Sequence, residues 1–408
     1  MLFAGIDWSN HALDYELRTA EGQVLASGQV QNSAAGLSEL FVKLEAHAAP
    51  GDIGIAFEAT NVAWVLALSD RGYLLYSVNP AMVVNFRKTL AIAGDKSDRI
   101  DRSLLARMLV VLHTQLKPLR PDAPEIVALR MACEDRVRLV EERTAKLNEL
   151  HAILKAFYPA FEGLFGDLSS RIALEFLHEF PTQAQMRALT PRRLANWLRR
   201  HHYPNMNRLE AMQALLTAPL LQVGEHLQKA KQVHIQYLAS SLLGLCTEID
   251  QRERHINDMF DGLAEAEMYR SLPGAGKILA PALLACFGRD PERFESVESA
   301  RALLGTAPVT RQSGRTCVVT FRRACWKFGR RTLQLLASTS CAACEWAQAF
   351  YLKQRASGRK HHQALRALAH KWVKIILAMR RTGRPYDQAV FLNSRTRFAV
   401  KAAAAVRP

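Results

Sequence analysis

Four carboxylates stand where a sequence would place them for phosphate chemistry. Asp7 closes the apolar run of "LFAGIDW", and Glu58 closes that of "DIGIAFEAT". Asp98 and Asp101, in "KSDRIDRSLLARML", are spaced i and i+3 and so share one face of a helix's first turn. Taken singly, Asp7 is a strand terminator, and the aspartate pair is a helix cap that complements the macrodipole. Taken together, four carboxylates repel one another unless cations sit between them. An all-oxygen donor set selects the hard ions Mg²⁺ or Mn²⁺. Two such ions about 3.5–4 Å apart can activate a nucleophile and stabilise the leaving oxygen of a phosphodiester.

The elements around these residues must bring them together. "LFAGIDW", "ALDYELRT" and "VLASGQVQ" read as a meander of three strands with turns at Ser9–Asn10 and Glu21–Gly22. A helix ("GLSELFVKLEAHA"), a fourth strand ("DIGIAFEAT"), a second helix ("NVAWVLALSDRG") and a fifth strand ("YLLYSVNP") follow. A loop containing Gly94 then leads into the helix that carries Asp98 and Asp101. The order β-β-β-α-β-α-β-α is that of a ribonuclease-H-type fold. In such a sheet the first and fourth strands are neighbours, so the acids converge on one edge. Trp64, by its spacing with Leu66 and Leu68, reads as core.

The rest of the chain is helical. From Pro124 to about Phe157, Cys133, Val137, Val140, Leu147, Leu150 and Leu154 approximate a heptad-like seam. A second long helix is expected from about His226 to Glu267. Its apolar side would hold Val233, Tyr237, Leu238, Leu242, Leu245, Ile249, Ile256, Phe260 and Leu263. The pair is an arm, a contact with another subunit or an ordinary hairpin, and a Pro-broken insert lies between them near 160–225. The last third opens "SLPGAGKILAPALLACFG", a tight turn running into a helix. This is the form of a helix–hairpin–helix element, and Gly274, Gly276 and Lys277 could hold a phosphate there. The expected division is an α/β domain over 1–113, a helical coiled-coil arm over 114–268 and a basic, mainly helical domain over 269–408.

Charge names the class of partner, not the chemistry. The chain of 408 residues carries a net +16. Residues 1–110 have a net of −3, residues 111–268 of −1 and residues 269–408 of +20, so the whole excess sits in the last third. Such a face attracts polyphosphate backbones by counterion release, and non-catalytic RNA binding would produce the same charge. No apolar run is long enough for a membrane span, and no secretory signal is expected. The seven scattered cysteines read as reduced thiols in a cytoplasm, and the Cys341/Cys344 pair lacks partners at zinc spacing.

The order Asp7, Glu58, Asp98, Asp101, with "KSDRIDRSLLARML" around the last pair, resembles the RuvC-like domain of the DEDD transposases of insertion sequences. These bridge-RNA-guided recombinases are related to the Piv DNA invertases. "LPGAGKILAPALLACFGRDPERFESVESARALLGTAPVTRQSGR" resembles their second domain. The resemblance implies Mg²⁺ or Mn²⁺, donor and target DNA, a guide RNA, a homo-oligomer (dimer or tetramer) and a serine nucleophile. The matching position is Ser313 in "VTRQSGR", whose hydroxyl would store the strand as a phosphoserine. Arg311, Arg315, Arg322 and Arg323 would neutralise the transition state, with Arg330 and Arg331 continuing the nucleic-acid surface. Read without the resemblance, Ser313–Gly314 is a turn. Ser338 and Ser340 read as packing residues, His370 as a core residue or phosphate contact, and His361–His362 with Arg359 and Lys360 as a nucleic-acid-facing run. Two other functions fit parts of the pattern. One is a Holliday-junction-type nuclease that cuts with water. The other is a sugar-kinase-like or actin-like ATPase, which "WSNHALDYE" disfavours because it has no phosphate-loop glycine.

Overall fold

The computed structural model describes residues 1–58, 62–89, 98–120, 122–218, 224–314 and 316–390. They form two compact units, 1–122 and 123–408. No described helix is long and apolar enough to cross a membrane.

The first unit is a mixed α/β layer. Strands β1 (Leu2–Trp8), β2 (Ala12–Arg18) and β3 (Val24–Gln31) form the antiparallel meander. After α1 (Ala34–Glu45), β4 (Ile53–Phe57) adds parallel to β1. After α2 (Val62–Asp70), β5 (Leu74–Ser77) adds parallel to β4, and the sheet order is β3-β2-β1-β4-β5. Alternation along β1 separates two cores. Ala4 and Ile6 join Leu13, Tyr15, Leu17, Leu40, Leu44, Trp64 and Leu68 on one face. Phe3 joins Leu104, Leu105, Met108 and Leu109 of α4 (Asp98–Leu112) on the other. The stretch after the fifth strand, expected as loop, begins with a further helix, α3 (Pro80–Thr89). Its start was encoded in Asn79–Pro80. The Asn79 side chain accepts from the Ala81 N–H at 2.8 Å, and proline suits the first helical position.

The second unit is built on two long helices, α5 (Pro124–Phe157) and, after five short ones, α11 (Glu225–Asp261). The short helices are α6 (Glu162–Phe165), α7 (Arg171–Glu179), α8 (Gln183–Arg187), α9 (Pro191–Arg200) and α10 (Leu209–Thr217). The pairs Arg136–Glu253 (2.5 Å) and Glu149–His234 (3.1 Å) show α5 and α11 running antiparallel within one chain. The seam on α11 is Ile235, Leu238, Ala239, Leu242, Ile249, Ile256 and Phe260. Val233 and Tyr237, expected in it, are 71% and 57% exposed. They fall on the flank of the 3–4 spacing, and the Tyr237 ring there takes the Lys146 ammonium at 5.2 Å. The insert of α6–α10 packs its own core around Leu174, Phe176, Leu177, Trp197 and Leu198, sharing it with Leu150, Leu154, Ile235, Leu238 and Leu242 at that end of the long pair.

At the other end, Ile126, Leu129, Cys133, Ile256 and Phe260 join the C-terminal core. That core includes α12 (Ala266–Arg270), α13 (Leu279–Phe287), α14 (Val297–Leu303), α15 (Lys327–Ala343), α16 (Glu345–Ala356) and α17 (His361–Thr382). Trp372 is fully buried at its centre and donates from Nε1 to Ser340 Oγ at 2.9 Å. Between α14 and α15 stands a hairpin, β6 (Val309–Ser313) and β7 (Thr316–Thr320).

Candidate active site

Asp7 and Glu58 stand at the same end of adjacent parallel strands. β1 and β4 pair with a constant offset from Leu2↔Ile53 to Ile6↔Phe57, and the next step in that register is Asp7 beside Glu58. Asp7 is half-buried and Glu58 exposed. The third element comes from α4. His113, just beyond its end, stacks on Phe3 with ring centroids 4.6 Å apart. Further back along the helix, Arg102 and Ala106 lie against Gly5. As β1 advances from Phe3 to Gly5, α4 is retraced toward its start, so helix and strand run antiparallel. The first turn of α4, from Asp98 through Asp101, therefore lies at the strand end that carries Asp7 and Glu58. The Asp98 and Asp101 side chains lie outside the described residues. Among the described residues, no three His, Cys, Asp or Glu side chains group to hold a metal ion.

Gly5 sets how closely α4 approaches. A Cβ there would lie 2.5 Å from Ala106 N and 2.9 Å from Leu105 Cβ, and closer still to Arg102 O. Beside this contact runs a polar row that sequence reasoning missed. Asp14, Glu16 and Arg18 of β2 pair with Asp7, Gly5 and Phe3 and so lie on the same sheet face, toward α4. Arg102 reaches from α4 to Asp14 Oδ1 at 2.5 Å and to Gly28 O at 3.2 Å. Arg18 binds Glu16 at 2.6 Å and Ser103 Oγ at 3.1 Å, with both charged residues only 7% exposed. A sheet position flanked by hydrophobic residues reads as core or solvent face. Nothing in "ALDYELRT" alone says that its charged side chains meet a helix arriving from residue 102. The Arg102–Asp14 ion pair and the Arg18–Ser103 hydrogen bond clip α4 to the sheet beside Asp7.

Ser313 ends β6 and pairs with Thr316 across a two-residue loop in which Gly314 takes φ +55°. A tight hairpin of this kind needs glycine or a similarly tolerant residue at positive φ. Ser313 is exposed, as is nearly all of both strands, including Val318 (48%) and Val319 (62%). The sequence marks the hairpin by "VT" and "TCVVT" on either side of Ser-Gly, a signal expected above only as a turn. The hydroxyl is thus presented at the tip of a ribbon with little protein against it. Ser340 is buried against Trp372, whereas Ser338, expected to pack, is exposed.

The expected nucleic-acid residues are placed differently from one another. Arg311, on β6, and Arg323, just beyond β7, are exposed. Arg322 donates from Nε to Ala307 O at 3.1 Å and so ties the foot of the hairpin. Arg330 lies over the Phe321 ring at 5.0 Å, and Arg331 pairs with Glu141 at 2.6 Å. Arg315 lies outside the described residues. Gly274 has φ +79°, and a Cβ there would come within 2.8–2.9 Å of Thr339 on α15, so it serves close packing of the turn before α13. Gly276 and Lys277 in that turn are exposed. His370 is half-buried, and burial, with Arg301 and Lys371 nearby, pushes its pKa down to about 4, so the ring is neutral at pH 7.

Two family models match the chain. A DEDD transposase model of the IS110 type covers residues 4–159, and one described as "Transposase IS116/IS110/IS902 family" covers 266–352. The first takes in the five-stranded sheet from Ala4 onward, with α4 and α5. The second runs from α12 through the hairpin into α16. Similar proteins include one of insertion element IS900 from Mycobacterium paratuberculosis, 29% identical over 380 residues and covering 90% of this chain and 93% of its own. Another, of insertion element IS116 from Streptomyces clavuligerus, is 29% identical over 389 residues, 91% of this chain and 92% of its own. The IS117 mini-circle protein of Streptomyces coelicolor is 25% identical over 404 residues, 95% of each chain.

Proposed function

Because the chain belongs to the DEDD-type insertion-sequence transposases, we propose that it exchanges DNA strands with a carboxylate site in the first unit and Ser313 in the second. The observation that carries the first half is the antiparallel crossing of α4 over β1 at Gly5, which sets the start of α4 beside the ends of β1 and β4. The strand order β3-β2-β1-β4-β5, with helices on both faces, supports a ribonuclease-H-like, RuvC-like reading of this unit. The donors Asp7 and Glu58, with Asp98 and Asp101 from α4, are all hard oxygens and fit Mg²⁺ or Mn²⁺. When bound, such ions neutralise charge on the phosphodiester.

The chain's own residues perform the transfer. Ser313 Oγ attacks phosphorus and forms an O–P bond, while the P–O bond to the adjoining sugar breaks and the departing oxygen takes the serine's proton. A sugar hydroxyl from another strand then attacks the phosphoserine and returns the proton to Ser313. One bond is made for each one broken, so no external energy is needed. Arg311, Arg315 and Arg323 spread the charge of the transition state, while Arg322 fixes the ribbon's foot. The exposure of the ribbon tip supports this role for Ser313. The guide RNA, the dimer or tetramer and the division at 113/114 and 268/269 belong to the same proposal.

The test is Ser313→Ala with end-labelled donor DNA, reading protein–DNA adducts on denaturing gels. The expected result is loss of the adduct and of strand exchange together. Cleavage that persists in Ser313→Ala would refute the serine and leave a water-using nuclease. Sequencing RNA retained by the same preparation tests the guide: one abundant species supports it, and bulk RNA refutes it.

A further inference from the structure

A cleft of about 580 Å³ opens at the foot of the Ser313 hairpin. One wall is the base of the ribbon, from Gly305 to Pro308 and Val319 to Arg322. The other is a single face of α17 and the residues just before it, spaced Arg359, Gln363, Arg366, Ala367 and His370, with Phe350 of α16 beside them. None of the described residues lining it is acidic. Its two aromatic rings carry cations. Arg366 lies 4.7 Å from the Phe321 centroid, and Lys371 lies 5.9 Å from that of Phe350. Among the described residues, Arg359, Arg366 and Lys371 enter no salt bridge, so their charge is left for a ligand. Phe321 is 43% exposed, an uncommon position for a phenylalanine that packing alone would place.

We propose that this cleft holds one unpaired nucleotide, with its base against the Phe321 and Phe350 walls and its phosphate among Arg359, Arg366 and Lys371. Shape decides against a paired segment. A duplex is read by a flat or convex basic face laid along its backbone, whereas a concavity of this size suits one small-molecule-sized group. Aromatic walls with arginine in attendance are the means by which proteins hold unstacked bases of either DNA or RNA. His370 lines the same cleft, its ring bonded to the Thr306 backbone. The four-residue rise of β6 places the cleft about 14 Å from the tip serine, a short walk along one strand. The inference rests on the transposase reading only for which nucleic acid is present, and the cleft's own chemistry supplies the rest.

The test uses the full chain and four labelled probes: fully paired DNA, the same DNA with one unpaired 2-aminopurine, and the RNA equivalents. Wild type is expected to bind an unpaired probe about tenfold more tightly than its paired counterpart, with 2-aminopurine emission quenched by stacking. Phe321→Ala and Arg366→Gln should each abolish that preference while leaving paired-probe affinity within about twofold. Phe321→Trp should keep it, and circular dichroism melts confirm folding of every variant. Preference in the DNA pair places the nucleotide in the exchanged strand, and preference in the RNA pair places it in a guide. Equal binding of paired and unpaired probes, or a preference that survives both variants, overturns the cleft alone. Failure to bind any probe overturns the transposase reading as well.

Discussion

Gly5→Ala tests the claim that one close contact positions the carboxylate site. The added methyl would sit 2.5 Å from Ala106 N and 2.9 Å from Leu105 Cβ, about 1 Å inside the 3.4 Å at which ordinary contact begins. Two of its three neighbours are backbone atoms, so no rotamer change relieves the clash. β1 is held between β2 and β4, and α4 is the element that must lift. Overpacking of this kind costs about 1–3 kcal/mol. The functional cost is larger, because the start of α4 moves by about 1 Å relative to Asp7 and Glu58, and a shift of that size removes about 10²-fold in rate. Gly54→Ala is the internal control. It lies on the neighbouring strand under the same helix, but its Cβ meets only side-chain atoms of Tyr76, Leu109 and Phe3 at 3.2–3.4 Å. Single-turnover adduct formation well below the melting temperature, with thermal melts alongside, separates the two effects. Gly5→Ala should lose about a hundredfold in rate where Gly54→Ala loses less than threefold. If Gly5→Ala stays within about twofold of wild type, α4 is not the positioning element and the reasoning fails.

Two further outcomes follow from the second unit. Gly274→Ala combines a φ of +79° with a clash against Thr339, so it should lower stability by about 2–4 kcal/mol, read as a shift in the urea midpoint. His370 is held neutral by burial, Arg301 and Lys371, against smaller opposing effects of the Thr306 backbone and Glu298. Its pKa is depressed to about 4, so the stability it contributes is fully present above the ordinary pKa near 6.5 and is lost as pH falls from there toward 4. His370→Gln should flatten the fall of melting temperature across that window by the equivalent of about 1 kcal/mol, discounted for its partial exposure. An unchanged pH profile would refute this.

The first unit was legible because its strands are short, turn-bounded runs, apolar in β1 and β4 and alternating in β2, and because acids follow the apolar runs. β1 and β4 are neighbours, as the order of elements implied, and the start of α4 lies at the same end of the sheet. What stayed hidden depends on contacts between distant segments. The Asp14–Arg102 and Arg18–Ser103 bonds join residues more than eighty positions apart, and a single strand cannot announce them. On α11 the expected seam included Val233 and Tyr237 because they are apolar, but the 3–4 spacing of their neighbours leaves both outside. The cleft escaped notice because its lining is split between a hairpin and a helix some forty residues further on.

The long helix pair carries a consequence for how such a chain can change. Between Cys133 and Leu150 no residue of α5 is fully buried, and the partly buried Val137 and Leu147 each pack against the core nearer to them. That stretch is a strut, and its length is a count of residues. Seven residues added to each helix would keep the seam in phase to within about 20° and push the far bundle outward by about 10 Å. Residues inserted between Val137 and Leu147 would leave the side chains that pack against each core in place. The reach of the bundle is therefore an adjustable dimension, set by duplication in the strut and independent of the chemistry at its base.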